Sequence, residues 1–145
     1  MASLNAYLNF RGTTEEAFNF YKIVFGGEFI TLQRFKDTTE ADHTPEEDKD
    51  KIMHIALSMG DGSILMGTDV IGDMADQLVE GNNFHLSVNA ESEGETARIF
   101  HKLSEGGKVT IPLAMMSWGA YFGMVTDRFG IQWMLNFDTK QENNG

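Results

Sequence analysis

The sequence predicts an α+β fold built from two successive βαβββ modules within one structural domain. Three observations carry that expectation. Residues 4–10 and 82–90 alternate apolar and polar side chains with the period of two that marks a strand. Each stretch is followed by an amphipathic helical pattern that stops at a glycine pair, Gly26-Gly27 or Gly106-Gly107. Each module then closes on a hairpin, around Gly60-Asp61-Gly62 or around Asp127 to Gly130. These landmarks recur roughly 70 to 80 residues apart, the mark of an internal repeat. One half alone is too short to bury a good core, so the two sheets must pack or join.

The elements follow in order. The first module spans residues 1–70, a connector 71–82, the second module 83–138 and a polar, frayed tail 139–145. In "LNAYLNF", Leu4, Ala6, Leu8 and Phe10 point one way and Asn5, Tyr7 and Asn9 the other. The helix after it has Thr13 or Thr14 as cap, Glu15 and Glu16 at the positive end of its dipole, and an apolar stripe of Ala17, Phe20, Tyr21 and Val24. "EFITLQRF" reads as a strand. Residues 37–50, "DTTEADHTPEEDKD", have no apolar period and read as an exposed, mobile loop with His43 at its surface. "KIMHIALSMGDGSILMGTD" is a hairpin. In the second module "NNFHLSVNA" is a strand, "ESEGETARIFHKLSEGGK" a capped helix, and "VTIPLAMMSW" a strand with Pro112 near an edge or bulge. "GAYFGMVTDRFGIQWMLNF" is the closing hairpin.

Composition narrows the function. Over 145 residues the formal net charge is −11, which disfavours nucleic acid and anionic membranes as partners. There is no cysteine, so disulfides, thiolate nucleophiles and Cys-ligated zinc are excluded. The N-terminus has no secretory pattern and no apolar run approaches the ~18 residues needed to span a bilayer, so the expected home is the cytoplasm.

With the repeat established, the chain resembles the vicinal oxygen chelate superfamily, also called the glyoxalase/bleomycin-resistance fold, and within it the PhnB-like branch. The resemblance rests on "AYLNFRGTTEEAFNFYKIVFGGE", "KIMHIALSMGDGSILMGTD", "EGGKVTIPL" and "WGAYFGMVTDRFGIQWMLNF", which together cover most of the chain. It implies curved mixed sheets that enclose a cavity, a homodimer, and a small-molecule ligand. Branch members are sometimes labelled methyltransferases, but the chain has no Gly-rich strand-to-helix loop followed by an acid at dinucleotide spacing. Metal-dependent members place histidines on the opening strand of a module and acids on its last strand, and the metal polarises substrate oxygens. Laid over that pattern, the acid positions fall on Met66 and Met134, and the opening-strand positions near Ala6 and near Phe84 to Leu86, with His85 one register step away. Thioethers are soft ligands, so a divalent metal cofactor is not favoured.

His54 and His85 remain the metal candidates, and His54 and Asp69 the catalytic ones. His54 shares a strand face with Ile52, Ala56 and Ser58 and has the ring chemistry of a general base. Asp69 ends a strand, where a turn or cap role is the plainer expectation. His101 belongs to an exposed helical position, and Asp127 to a turn. Tyr7 and Asn9 share a polar face. In the final hairpin, Ala120, Phe122, Met124, Ile131, Trp133 and Leu135 are expected to form a uniform helix-packed face. Tyr121, Gly123, Gln132, Met134 and Asn136 are then a mixed face suited to a ligand, with Gly123 leaving room and Trp118 at the rim. The expected function is sequestration of an amphipathic or aromatic molecule by Tyr7, Asn9, His54, Trp118, Tyr121, Gln132, Met134 and Asn136. The alternative is metal-assisted isomerase, lyase or dioxygenase chemistry at a rearranged site.

Overall fold

The computed structural model describes residues 1–139, and residues 140–145 of the expected tail lie outside them. The chain divides into two compact units, Met1–Val79 and the chain from Glu80 onward. Each unit is a four-stranded mixed sheet carrying one long helix on one face.

In the first unit, β1 (Ala6–Phe10), α1 (Thr14–Phe25), β2 (Glu28–Arg34), β3 (Ile52–Ser58) and β4 (Ile64–Asp69) give the sheet order β1-β4-β3-β2. β1 runs parallel to β4, and the other neighbours are antiparallel. The helix buries Ala17, Phe18, Phe20, Tyr21 and Val24 against the sheet's inner residues, among them Leu8, Ile55, Leu57 and Leu65. Gly67 makes that packing possible. A Cβ there would lie 2.6 Å from Phe18 Cε1, so the helix's phenylalanine occupies the space a side chain would need.

The cap of α1 differs from the sequence expectation. Thr13 is the N-cap residue but makes no side-chain cap bond, and the Thr14 hydroxyl donates to Asp69 Oδ1 at 2.7 Å instead. Asp69 also accepts from the backbone N–H of Gly12 (3.0 Å), Thr14 (3.1 Å) and Ile52 (2.8 Å). Because β1 and β4 are parallel, with Phe10 beside Asp69, the end of β4 arrives where α1 begins. The cap is therefore supplied by a residue 55 positions away in sequence.

Residues 37–50 also differ from expectation. They are folded into short 3-10 turns at Phe35–Asp37, Ala41–His43 and Glu46–Asp48, with Thr44 and Asp48 buried. Lys36 pairs with Asp50 (2.7 Å) and Lys51 with Asp48 (2.6 Å), and Phe35 N–H donates to the Lys51 carbonyl (3.1 Å). Thr, Asp and Pro favour such local turns even without an apolar period. The connector likewise contains a short helix, α2 (Gly72–Gln77), fastened by the Arg11 guanidinium, which donates to the Ala75 carbonyl at 2.8 Å and to that of Leu78.

The second unit repeats the plan: β5 (Leu86–Asn89), α3 (Glu93–Ser104), β6 (Lys108–Met115), β7 (Ala120–Thr126) and β8 (Gln132–Asp138), in the order β5-β8-β7-β6. β5 is parallel to β8. Ser92 caps α3, its Oγ accepting from Glu95 N–H at 3.1 Å. Pro112 lies on the edge strand β6 inside an irregular register between Ile111 and Ala114, where its missing N–H costs no ladder bond. Thr139, placed in the tail by sequence, donates through N–H and hydroxyl to the Gly119 carbonyl.

The glycine hollow recurs in this unit on a different strand. In the first unit the row Leu8–Gly67–Ile55 has its gap on β4; in the second, the row Val88–Leu135–Gly123 has it on β7. A Cβ at Gly123 would lie 2.8 Å from Phe100 Cε2 on α3 and 2.9 Å from Leu113 Cα.

Candidate functional site

Each sheet has one face covered by its helix and one that is not, and strand alternation decides which side chains reach the uncovered face. In the first unit, Gly67 lies under α1, so Leu8, Ile55, Leu57, Leu65 and Asp69 share the covered face. Tyr7, Asn9, His54, Ala56, Ser58, Ile64, Met66 and Thr68 fall on the other, joined from β2 by Glu28, Thr31 and Gln33. Tyr7 and His54 meet there. Their rings stack with centroids 5.7 Å apart, and Tyr7 Oη lies 3.4 Å from His54 Nδ1.

In the second unit, Gly123 lies under α3, and its cross-strand partner is Leu135. Val125 opposes Trp133 and Tyr121 opposes Phe137, so this covered face also takes Tyr121. The uncovered face carries Phe122 beside Asn136, Met124 beside Met134 and Thr126 beside Gln132, with Ser87 and Asn89 from β5. Trp118, in the turn before β7, sets its ring edge against Phe122 at 6.0 Å between centroids. Asn136 donates to Asn89 Oδ1 at 3.3 Å, and Gln132 Nε2 donates to the Phe84 carbonyl.

Several expectations change. Tyr121 does not share a face with Gln132, Met134 and Asn136, and Gly123 serves helix packing rather than ligand room. Phe122 and Met124, expected under the helix, take their place on the uncovered face. Grouping by hydrophobicity caused the error. Counting across the turn, where Asp127 N–H bonds the Ile131 carbonyl, puts Val125 and Gly123 beside Trp133 and Leu135. Asp69, a catalytic candidate, is 3% exposed with both carboxylate oxygens engaged by the donors named above, and its side chain lies on the covered face. Asp127 is likewise occupied, accepting from the Phe129 and Ile131 N–H groups and from Trp133 Nε1 at 2.8 Å. His85 precedes β5 rather than belonging to it, and His101 is exposed on α3.

The resolved charge effects lie away from both uncovered faces. The Arg34 guanidinium, hydrogen-bonded to Glu15, holds the Glu15 carboxyl below its ordinary range. Asp61 is lowered by the Ser63 backbone N–H.

A resident divalent metal would need donors at the superfamily positions. In register, Met66 lies beside Tyr7 and Met134 beside Ser87. Neither a thioether beside a phenol nor a thioether beside a hydroxyl offers the hard donors such an ion needs. Among the described residues no group of three or more His, Asp or Glu side chains gathers in metal-holding geometry.

Two βαβββ units, each a mixed sheet with the same strand order, are the architecture of the vicinal oxygen chelate, or glyoxalase/bleomycin-resistance, superfamily, and the chain takes its place in the PhnB-like branch. It belongs to the 3-demethylubiquinone-9 3-methyltransferase family, whose model matches residues 2–136. The crystal structure of protein PA1353 from Pseudomonas aeruginosa is similar, at 36% identity and TM-score 0.81, covering 95% of this chain and 98% of that one. The PhnB protein from Bacillus cereus is 26% identical with TM-score 0.75, covering 94% and 99%. A glyoxalase-related enzyme from Fulvimarina pelagi, 19% identical with TM-score 0.66 over 96% and 90%, shares the fold. Among the described residues no helix is long and apolar enough to cross a membrane.

Proposed function

We propose that this protein binds a small amphipathic or aromatic molecule on an uncovered sheet face and holds it without transforming it. The observation that supports this most directly is the uncovered face of the second sheet. Trp118 is 63% exposed and packs at a steep angle against Phe122, whose strand face also carries the Met124–Met134 pair and the Asn89–Asn136 amides. Aromatic rings and flexible thioethers supply apolar contact that adapts to shape, and the amides orient polar groups. The first sheet, taken by itself, carries polar groups of Tyr7, Asn9 and His54 on its own uncovered face. Sequestration needs neither the hard-metal ligand set that Met66 and Met134 replace nor the methyl-donor loop that the sequence lacks. We further propose a cytoplasmic homodimer that engages neither nucleic acid nor membrane, in keeping with the acidic charge and the family resemblance.

The test is native mass spectrometry of the purified protein against an unbiased small-molecule library. A retained ligand of about one per chain is expected, lost in Trp118→Ala and Phe122→Ala while far-UV circular dichroism stays unchanged. Equal retention by both variants, or no retained molecule in the wild type, overturns the proposal.

A further inference from the structure

We infer that Tyr7 and His54 form an oxyanion-recognition element on the uncovered face of the first sheet, strengthened when His54 takes up a proton. The inference rests on the small-molecule function proposed above and names a ligand class for it: an organic molecule carrying a carboxylate or a similar oxyanion.

The pair is assembled across a strand. β1 and β3 are separated by β4, roughly two strand spacings of about 4.8 Å each. Two long side chains must therefore lean toward one another over Met66 and Thr68 to stack as they do. Met66 pairs in register with Tyr7 on one side and Ala56 on the other, and those small or flexible neighbours leave the rings accessible. Tyr7 is 46% exposed.

One hydrogen links Tyr7 Oη and His54 Nδ1, and its direction depends on the imidazole. With His54 neutral and Nδ1 accepting, the Tyr7 hydroxyl is spent as the donor, and the pair offers a ligand only the Nε2–H. With His54 protonated, Nδ1–H donates to the phenol oxygen. The Tyr7 hydroxyl is then released, so the pair offers two donors and a positive charge. Hydrogen bonds to an ionised acceptor from an ionised donor are the stronger kind. Among side chains, the unperturbed imidazole is the one that changes charge nearest neutral pH.

The surroundings favour an anion despite the net charge of −11. The strand residues sharing this face are Tyr7 and Asn9 from β1, Glu28, Thr31 and Gln33 from β2, Ala56 and Ser58 beside His54 on β3, and Ile64, Met66 and Thr68 from β4. Glu28 is the one formally charged residue among them; it stands opposite Ser58, at the far end of β3 from His54, and its carboxylate pairs with Lys22 at 3.8 Å. Tyr7 and Glu28 are the other titratable groups among these strand residues. Gln33, the cross-strand neighbour of His54, and Asn9 supply neutral amide donors. The nearest charged strand residues turn elsewhere: Arg34 to Glu15 on α1, and Asp69 to the α1 N-terminus. A carboxylate bound at His54 would meet the one chargeable cation among these strand residues, while the Glu28 carboxylate sits at the far end of β3 with Lys22.

The test uses the full-length protein with benzoate and its neutral isostere benzamide, followed by NMR of the imidazole rings. The chain has four histidines, so the His54 signal is assigned by its loss in His54→Gln. Expected are benzoate binding about tenfold tighter at pH 5.5 than at pH 8, no such change for benzamide, and a benzoate-induced shift of the His54 signal. In His54→Gln the pH dependence disappears, and Tyr7→Phe weakens benzoate several-fold at pH 5.5 by removing the released hydroxyl. Equal affinity for the two probes, or a pH dependence that survives in His54→Gln, overturns the inference and leaves small-molecule binding standing. If neither probe perturbs His54, the inference also falls. The wider function falls only on its own test, if the library screen finds no ligand or if Trp118→Ala and Phe122→Ala retain it as the wild type does.

Discussion

Replacing Asp69 with alanine is expected to cost about 3–5 kcal/mol of folding stability, and the figure follows from the donors it would abandon. Oδ1 accepts from the N–H groups of Gly12 and Thr14 and from the Thr14 hydroxyl, and Oδ2 accepts from Ile52 N–H. Thr14 and Ile52 are fully buried, so water cannot reach their N–H groups, whereas Gly12 is exposed and rehydrates. Each stranded buried donor costs about 1–3 kcal/mol, and the lost helix cap adds to the sum. Asp69→Asn separates the contributions. Its oxygen can keep the Oδ1 bonds while its NH₂ confronts Ile52 N–H, so about 1.5–3 kcal/mol is lost. Urea unfolding followed by far-UV circular dichroism measures both, with an unchanged m-value as the check on two-state behaviour. A loss below about 1 kcal/mol in Asp69→Ala would refute the capping role. A stable Asp69→Asn protein that no longer acted on a ligand would return the carboxylate to the chemistry.

Two further perturbations test the packing and the surface charge. Gly67→Ala and Gly123→Ala should each lower stability by about 1–3 kcal/mol, because the new methyl overlaps Phe18 or Phe100 in a filled core. Ligand affinity of the folded Gly123→Ala protein should stay unchanged; weakened binding without loss of stability would place the glycine against the ligand. Glu15→Gln should cost about 0.5–1 kcal/mol at pH 7, the scale of a partly exposed pair with Arg34. Because the folded-state pKa of Glu15 is depressed, its stabilisation is present above the unfolded carboxyl value and is lost as pH falls through the folded one. Melting temperatures of variant and wild type should therefore converge in acid, and a gap that persists there would assign the effect to something other than the ion pair.

Much of the fold was legible because it is written in periodicity. The strands, both long helices with their glycine stops and the two hairpins all declare themselves within about twenty residues. What escaped depends on contacts between distant segments. The α1 cap comes from Asp69 through a parallel pairing that no local pattern reveals. Residues 37–50 lack an apolar period, yet lysine–carboxylate pairs and local turns organise them. The strand faces of the candidate residues were half legible: Tyr7, Asn9, His54, Gln132, Met134 and Asn136 lie on uncovered faces, whereas Tyr121 and Phe122 exchanged sides. In β7 both faces carry large apolar residues, so hydrophobicity is silent about which one the helix covers. Only register across the Asp127 turn decides it.

The displaced glycine also bears on how the chain avoids docking errors while it folds. Both halves produce a similar amphipathic helix and a similar sheet, and a nascent helix has two plausible beds. The vacancy sits on β4 in one bed and on β7 in the other, so the aromatic knob of α1 set upon the second sheet would strike Leu135 or miss the opening at Gly123. The offset glycine thus gives α1 a steric address for its own sheet.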